Sequence, residues 1–267
     1  MGQDPLERVR QAVDALTAAE LERYQAIADA TAKTKNKAEV GRAAGISGSA
    51  VTQMLQRPAP KGPEMPFWGA GDGSLTIAVA TKTEAPKDAA GPLGHVTATE
   101  TIAAYECVRD LASQMGLAVN EREPIPPDGN VNLNRDGLVV ICGPRLSPLV
   151  AQLLASDDVL RFIRDEHGWY LQDSHEKKQW RSPLDDGGGG DLGYLGRLPR
   201  PDGRGSFLYL GGIHAPGTAG VAHYLAGNLS ELWPQVRTSR FSALIRCTLT
   251  PERRVESSER IAGPYMQ

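Results

Sequence analysis

Residues 36–58 read NKAEVGRAAGISGSAVTQMLQRP, and this stretch decides how the amino-terminal module folds. Asn36 is a helix-capping residue, and a helix beginning there runs to about Ala44. Gly45 supplies the left-handed residue that ends it. Ser47 caps a second helix, which runs to about Gln56 and is stopped by Pro58. The connection is Gly45-Ile46-Ser47, so the two helices must pack closely, and Gly41 provides the small residue at their crossing. Val40, Ala44, Ile46, Val51, Met54 and Leu55 are the apolar positions of the resulting small core.

Upstream, residues 5–16 open with Pro5 and repeat Leu6, Val9, Val13 and Leu16 at helical spacing. Thr17 and Glu20 form a capping box, so a separate second helix is expected from Thr17, with Leu21, Tyr24, Ile27 and Ala28 on its apolar side. Charge is unevenly spread. The whole chain carries a net charge of −3, but residues 31–62 hold Lys33, Lys35, Lys37, Arg42, Arg57 and Lys61 against Glu39 alone. A local cationic patch on an acidic protein fits a small nucleic-acid-reading module attached to a different kind of domain.

Over residues 36–57 the pattern resembles the DNA-binding helix-turn-helix of phage-repressor and Cro type, and the last helix pair of sigma factors. The resemblance implies that the second helix enters the major groove, with Ser47, Ser49, Ala50, Thr52, Gln53 and Gln56 facing base edges. Gln53 could pair bidentately with adenine, and Ala50 could touch a thymine methyl. Lys33, Lys35, Lys37, Arg42 and Arg57 would contact phosphates. A lone module makes few contacts, so a homodimer on double-stranded DNA with two half-sites is the expected assembly. The Ala-, Arg- and Gly-rich composition resembles that of regulators from actinobacteria.

A proline-rich linker, residues 58–66, separates this module (residues 1–57) from residues 67–267. There the pattern changes to alternating strands and helices, which predicts a three-layer α/β domain, Rossmann-like, with a largely parallel sheet. Strands are expected at residues 75–80, 117–119, 137–142, 205–211 and 241–249, the last of these closing the fold, with a small insert strand at 169–171. Helices are expected at residues 99–115, from 148 through 154, and about 218–232. Residues 182–206 (SPLDDGGGGDLGYLGRLPRPDGRGS) read as a long loop, and the tail ERRVESSERIAGPYMQ (252–267) as a polar end whose last residues pack weakly.

Two strand ends draw interest, because open α/β sheets bind ligands beyond the carboxyl ends of their strands. The loops are GPRLSP (143–148) and GGIHAPGTAG (211–220). Glycines there let backbone approach a ligand, and helix amino termini attract anions. Gly143, Arg145, Ser147, Gly212, His214, Gly217 and Thr218 are therefore the candidate ligand-binding residues, for a small anionic, nucleotide-like molecule. Neither loop carries the dinucleotide fingerprint or the phosphate-loop lysine. Asp72, Asp185 and Asp202 are the acids that could partner His214, and spacing singles out none of them. No catalytic residue, metal ligand set or cofactor is assigned. Asp185, Asp186 and Asp191 lack a calcium-loop register. The three cysteines, 107, 142 and 247, are too widely spaced for a zinc site or a disulfide framework and read as reduced thiols.

With no apolar run long enough to span a bilayer and no secretory leader, a cytoplasmic location is expected. The leading expectation is a transcription regulator with a carboxy-terminal ligand sensor. The alternative is a nucleotide- or NAD-processing α/β enzyme whose amino-terminal helices recruit it to DNA or to a partner. Salt-insensitive binding would instead point to a protein-docking module.

Overall fold

The computed structural model describes residues 4–57, 59–84, 94–127 and 131–267. The chain divides into two compact units, Met1–Met65 and Pro66–Gln267. Pro58, read above as the stop of the second helix of the pair, lies outside the described residues.

The first unit is all helical. Helix α1, Pro5–Thr34, is a single helix of 30 residues, which corrects the expectation of a break at Thr17. No glycine or proline interrupts residues 6–34. Thr17 does not cap, because its hydroxyl donates to the Val13 carbonyl one turn back, at 2.9 Å. Asp4 caps the helix by accepting from the Leu6 amide, and Lys35 closes it in the left-handed conformation. Helix α2, Lys37–Ala43, starts at Asn36, whose side chain accepts from the Glu39 amide while Glu39 receives the Asn36 amide group in return. Helix α3, Gly48–Gln56, is capped by Ser47, whose hydroxyl accepts from the Ala50 amide at 3.1 Å.

The α2–α3 turn is tight because glycine allows it. Gly45 has φ +68°, and the Ile46 amide donates to the Gly41 carbonyl at 2.8 Å. A Cβ on Gly41 would lie 2.7 Å from the Ile46 carbonyl oxygen. Ile27 of α1, Val40 of α2 and Val51 of α3 are the buried centre, with Ala30, Ala44, Ile46, Met54 and Leu55 packed around them.

The second unit is built on one mixed sheet. Its strands are β1 (Ser74–Ala80), β4 (Ala118–Val119), β5 (Glu123–Ile125), β6 (Leu138–Ile141), β10 (Gly190–Pro199), β11 (Ser206–Gly212), β12 (Phe241–Leu249) and β13 (Val255–Met266). The order is β13-β12-β10-β11-β6-β1-β4, with β5 also alongside β1. Pairings from β11 through β6 and β1 to β4 and β5 are parallel. Those joining β11, β10, β12 and β13 are antiparallel. The parallel expectation thus describes one side of the sheet.

Strand alternation sends side chains to two faces. One face carries helices α4 (Thr99–Gln114) and α6 (Ala215–Val236). Here Val221 of α6 meets Gly193, and Gly220 of α6 meets Cys247. The other face packs Leu138, Val140, Tyr194, Phe207 and Tyr209 under α5 (Pro148–Leu154) and under an antiparallel meander, β7 (Leu160–Asp165), β8 (Gly168–Asp173) and β9 (Lys178–Arg181). The third layer is therefore mostly β rather than helical. Buried carboxylates fasten it: Asp157 accepts from the Tyr194 hydroxyl and Asp173 from the Tyr265 hydroxyl, both at 2.8 Å. A short hairpin, β2 (Lys82–Glu84) with β3 (Gly94–Val96), lies between β1 and α4.

Two expectations fail here. Residues 190–199, read as loop, form β10 at the heart of the sheet. Its glycines are demanded by packing, since a Cβ on Gly193 would sit 2.4 Å from Val221 Cγ2. The buried Arg197 looks unlike a strand residue, but its guanidinium donates to the carbonyls of Phe67, Arg237 and Ser239. Burial pushes it down to about 10. The tail is not loose either, because β13 pairs along β12 over most of its length. Helix α6 also begins three residues earlier than expected, with Pro216 in its first turn. Among the described residues no helix is long and apolar enough to cross a membrane.

Candidate functional site

Each unit presents one surface with chemistry of its own. On the first, α3 turns Ser49, Gln53 and Gln56 outward at i, i+4 and i+7, all exposed, and Val51 inward. Ala50 and Thr52 are half-buried at the edges of this ridge. The Thr52 hydroxyl donates to the Gly48 carbonyl at 3.2 Å, and Ser47 is engaged as the cap while touching Ser49 at 2.9 Å. The side-chain amides of Gln53 and Gln56 are thus presented outward beside a Ser49 hydroxyl already engaged with Ser47. Lys33, Lys35, Lys37, Arg42 and Arg57 are all exposed. Gly48, not singled out by the sequence, lets α3 start against α2: its added Cβ would lie 3.1 Å from Ala38 Cα.

On the second unit, the carboxyl ends of the parallel strands β1, β6 and β11 open into one small cleft of about 30 Å³. The chain leaves β1 and β11 for the face that holds α4 and α6, and leaves β6 for the opposite face. Such a divergence opens a crevice above a sheet. Gly143, Arg145, Gly212, His214 and Thr218 line it together, so two loops 68 residues apart in sequence, GPRLSP and GGIHAPGTAG, meet. Lys82, Thr101 and Leu146 complete the wall and were not foreseen. Its charged lining is cationic, Lys82 and Arg145, with the imidazole of His214 beside them and no carboxylate among the described lining residues.

Two of the candidate ligand residues have other duties. Ser147 is buried and caps α5, its hydroxyl accepting from the Val150 amide. Gly217 donates its amide to Asp191, and a Cβ there would strike the Leu192 carbonyl at 2.3 Å. Thr218 lines the cleft but is also a lock, because its hydroxyl accepts from the Gly212 amide at 2.8 Å.

Asp191, weighed above only as a cation ligand, has a structural role at this site. Its carboxylate Oδ2 accepts from the amides of His214 (3.1 Å) and Gly217 (2.7 Å), so the positive end of α6 is occupied by the protein's own anion. Burial raises the carboxyl above its ordinary range, against the lowering pull of the nearby Ser182 hydroxyl, of the Leu192 and Gly217 amides and of the His214 imidazole. A lone acid between glycine and leucine in GDLGYL was the available signal. The side chain of His214 turns to Asp185, Nε2 to Oδ1 at 2.8 Å. That settles its partner: Asp72 instead braces Ser74, and Asp202 the turn at Arg204. The contact also fixes the second imidazole nitrogen, Nδ1, as the one left for another partner.

The cysteines are free thiols. Burial lifts Cys142 to about 12 and Cys247 to about 11, so neither ionises near neutrality. Groups of three or more potential metal ligands are absent among the described residues.

No known protein family matches this chain, and no curated protein or solved structure is detectably similar to it.

Proposed function

We propose that this chain is a sequence-specific DNA-binding transcription regulator whose Rossmann-like second unit senses a small anionic, nucleotide-like ligand. One observation carries the reading: the exposed polar ridge Ser49, Gln53 and Gln56 on a glycine-locked helix pair, in a unit that also exposes the five cations Lys33, Lys35, Lys37, Arg42 and Arg57. An ordinary helical hairpin has no need of that combination. The reading places the protein in the cytoplasm, as a homodimer on two half-sites. Ligand in the cationic cleft would favour one arrangement of the dimer and so alter operator affinity.

The test is selection of bound fragments from random duplex DNA by the purified full-length chain. A defined motif is expected, and Gln53→Ala should relax one position of it by about 1–3 kcal/mol. Each cation that reaches a phosphate adds about −0.9 to the slope of log K against log salt, so five per copy give about −4 to −5. Absence of any enriched motif, or binding indifferent to salt, overturns the reading.

The His214–Asp185 pair at the cleft favours a second reading, an enzyme acting on a nucleotide-like substrate, because a carboxylate-oriented imidazole is a general base. His214→Gln would then abolish turnover of the nucleotide without changing DNA binding.

A further inference from the structure

The most conspicuous unassigned surface is the first half of α1. Leu6, Val9, Val13 and Leu16 are 58–64% exposed, although each is a large aliphatic residue on a well-formed helix. With about 100° per residue, these four and Ile27 fall within an arc of roughly 80°. One face of one helix is therefore used twice. Near Ile27 it buries itself against Val40 and Val51, and four turns earlier the same face carries as much apolar bulk, uncovered among the described residues.

We propose that this stripe is a self-association surface and that its occupant is the same stripe of a second copy, running antiparallel. Three features select this partner. The spacing 3-4-3 is the a/d seam of a coiled coil. The order Leu-Val-Val-Leu reads identically in both directions. A two-fold axis near Gln11 therefore sets Leu6 on Leu16 of the second copy and Val9 on Val13, large on large and small on small.

Charge points the same way. A parallel pair would bring Glu20, the next seam position, against its own copy. The antiparallel pair avoids this and sets Asp14 level with Arg8 of the second copy, with Arg10 beside its own copy across the axis. Ala12 and Ala19 flank the other side and allow close approach. An anionic membrane surface is a poor alternative, because residues 4–20 hold Asp4, Glu7, Asp14 and Glu20 against only Arg8 and Arg10.

The eight side chains would bury on the order of 800 Å², below the ~1,200 Å² of a standard stable interface. The dimer is accordingly weak, and on DNA the second half-site would raise its effective concentration. The inference rests on the regulator reading for its purpose and not for its geometry, so it is tested without DNA.

Sedimentation equilibrium of the full-length chain, from about 1 to about 200 µM to bracket a weak interface, should show a monomer–dimer transition. Val13→Glu should remain monomeric throughout with an unchanged far-ultraviolet spectrum. A second measurement does not depend on that variant. Chains with Leu6→Cys mixed with chains with Leu16→Cys should form a disulfide-linked pair, whereas Leu16→Cys alone should not, and the parent serves as the oxidation control. A parent chain that is monomeric across the range overturns the proposal, as does a dimer that survives Val13→Glu intact. Cross-linking by Leu16→Cys alone overturns the antiparallel arrangement. Loss of the DNA-binding reading, with the dimer intact, would leave this surface standing.

Discussion

Gly193 of β10 faces Val221 of α6 so closely that the fold should not accept even one methyl group there. An added Cβ lies 2.4 Å from Val221 Cγ2, 2.8 Å from the Gly217 carbonyl oxygen and 3.1 Å from the Gly211 carbonyl oxygen. Non-bonded carbons settle near 3.5–4.0 Å, so Gly193→Ala needs a separation of roughly 1 Å between helix and sheet. Overpacking typically costs about 1–3 kcal/mol, and two of the three neighbours are backbone that no rotamer change can move, which places this site near ~3 kcal/mol. For a unit of about 200 residues, that lowers the melting temperature by about 6–12 °C. The control is Gly227 on the same helix, where a Cβ meets nothing within 4 Å. Gly227→Ala should gain about 0.5–1 kcal/mol of helix stability. All four tryptophans lie in the second unit, so a thermal melt followed by tryptophan fluorescence reports that unit alone. If Gly193→Ala melts with the parent, or both alanines destabilise equally, the account of β10 as a glycine-fitted strand is wrong.

Gly41→Ala should strain the α2–α3 turn through its 2.7 Å approach to the Ile46 carbonyl, costing about 1–2 kcal/mol after the helix-propensity gain. DNA binding and far-ultraviolet circular dichroism should report the loss while tryptophan melting stays unchanged. Asp191 has a raised folded-state value, so the folded protein holds its proton more tightly than the unfolded chain. Its contribution is then fully present below the unfolded value of about 3.9 and is lost as pH rises through the folded one. Asp191→Asn keeps an oxygen for the His214 and Gly217 amides, so its stability relative to the parent should improve across that rise. A constant difference in melting temperature with pH would contradict this. Arg145→Ala should weaken the thermal stabilisation given by inorganic phosphate or pyrophosphate. Equal stabilisation of variant and parent would remove Arg145 from the anion site.

Much of the first unit was legible because its determinants are local. Caps at Asn36 and Ser47, a left-handed glycine at 45 and a small residue at 41 act within a few residues of themselves. The error at Thr17 has a local cause too. A Thr-x-x-Glu box is compatible with a helix interior, and the Thr17 hydroxyl takes the preceding turn's carbonyl when nothing else ends that turn. In the second unit the buried strands β1, β6, β11 and β12 announced themselves as apolar runs. The candidate loops were found because strand ends followed by glycines and a helix start are visible in one dimension.

What the amino-acid order determined by itself, then, was the periodic and the punctuated: helix caps, apolar strands, the glycine turn and the places where cations gather. Only the tertiary structure decided that GDLGYLGRLP is a central strand, that the polar tail is its neighbour's neighbour, and that His214 reaches Asp185 while Asp191 takes the end of α6. The physical reason is common to all of these. A glycine or a buried charge carries no intrinsic preference for a strand, and its stability comes from a helix, carbonyls or amides that the chain supplies tens of residues away.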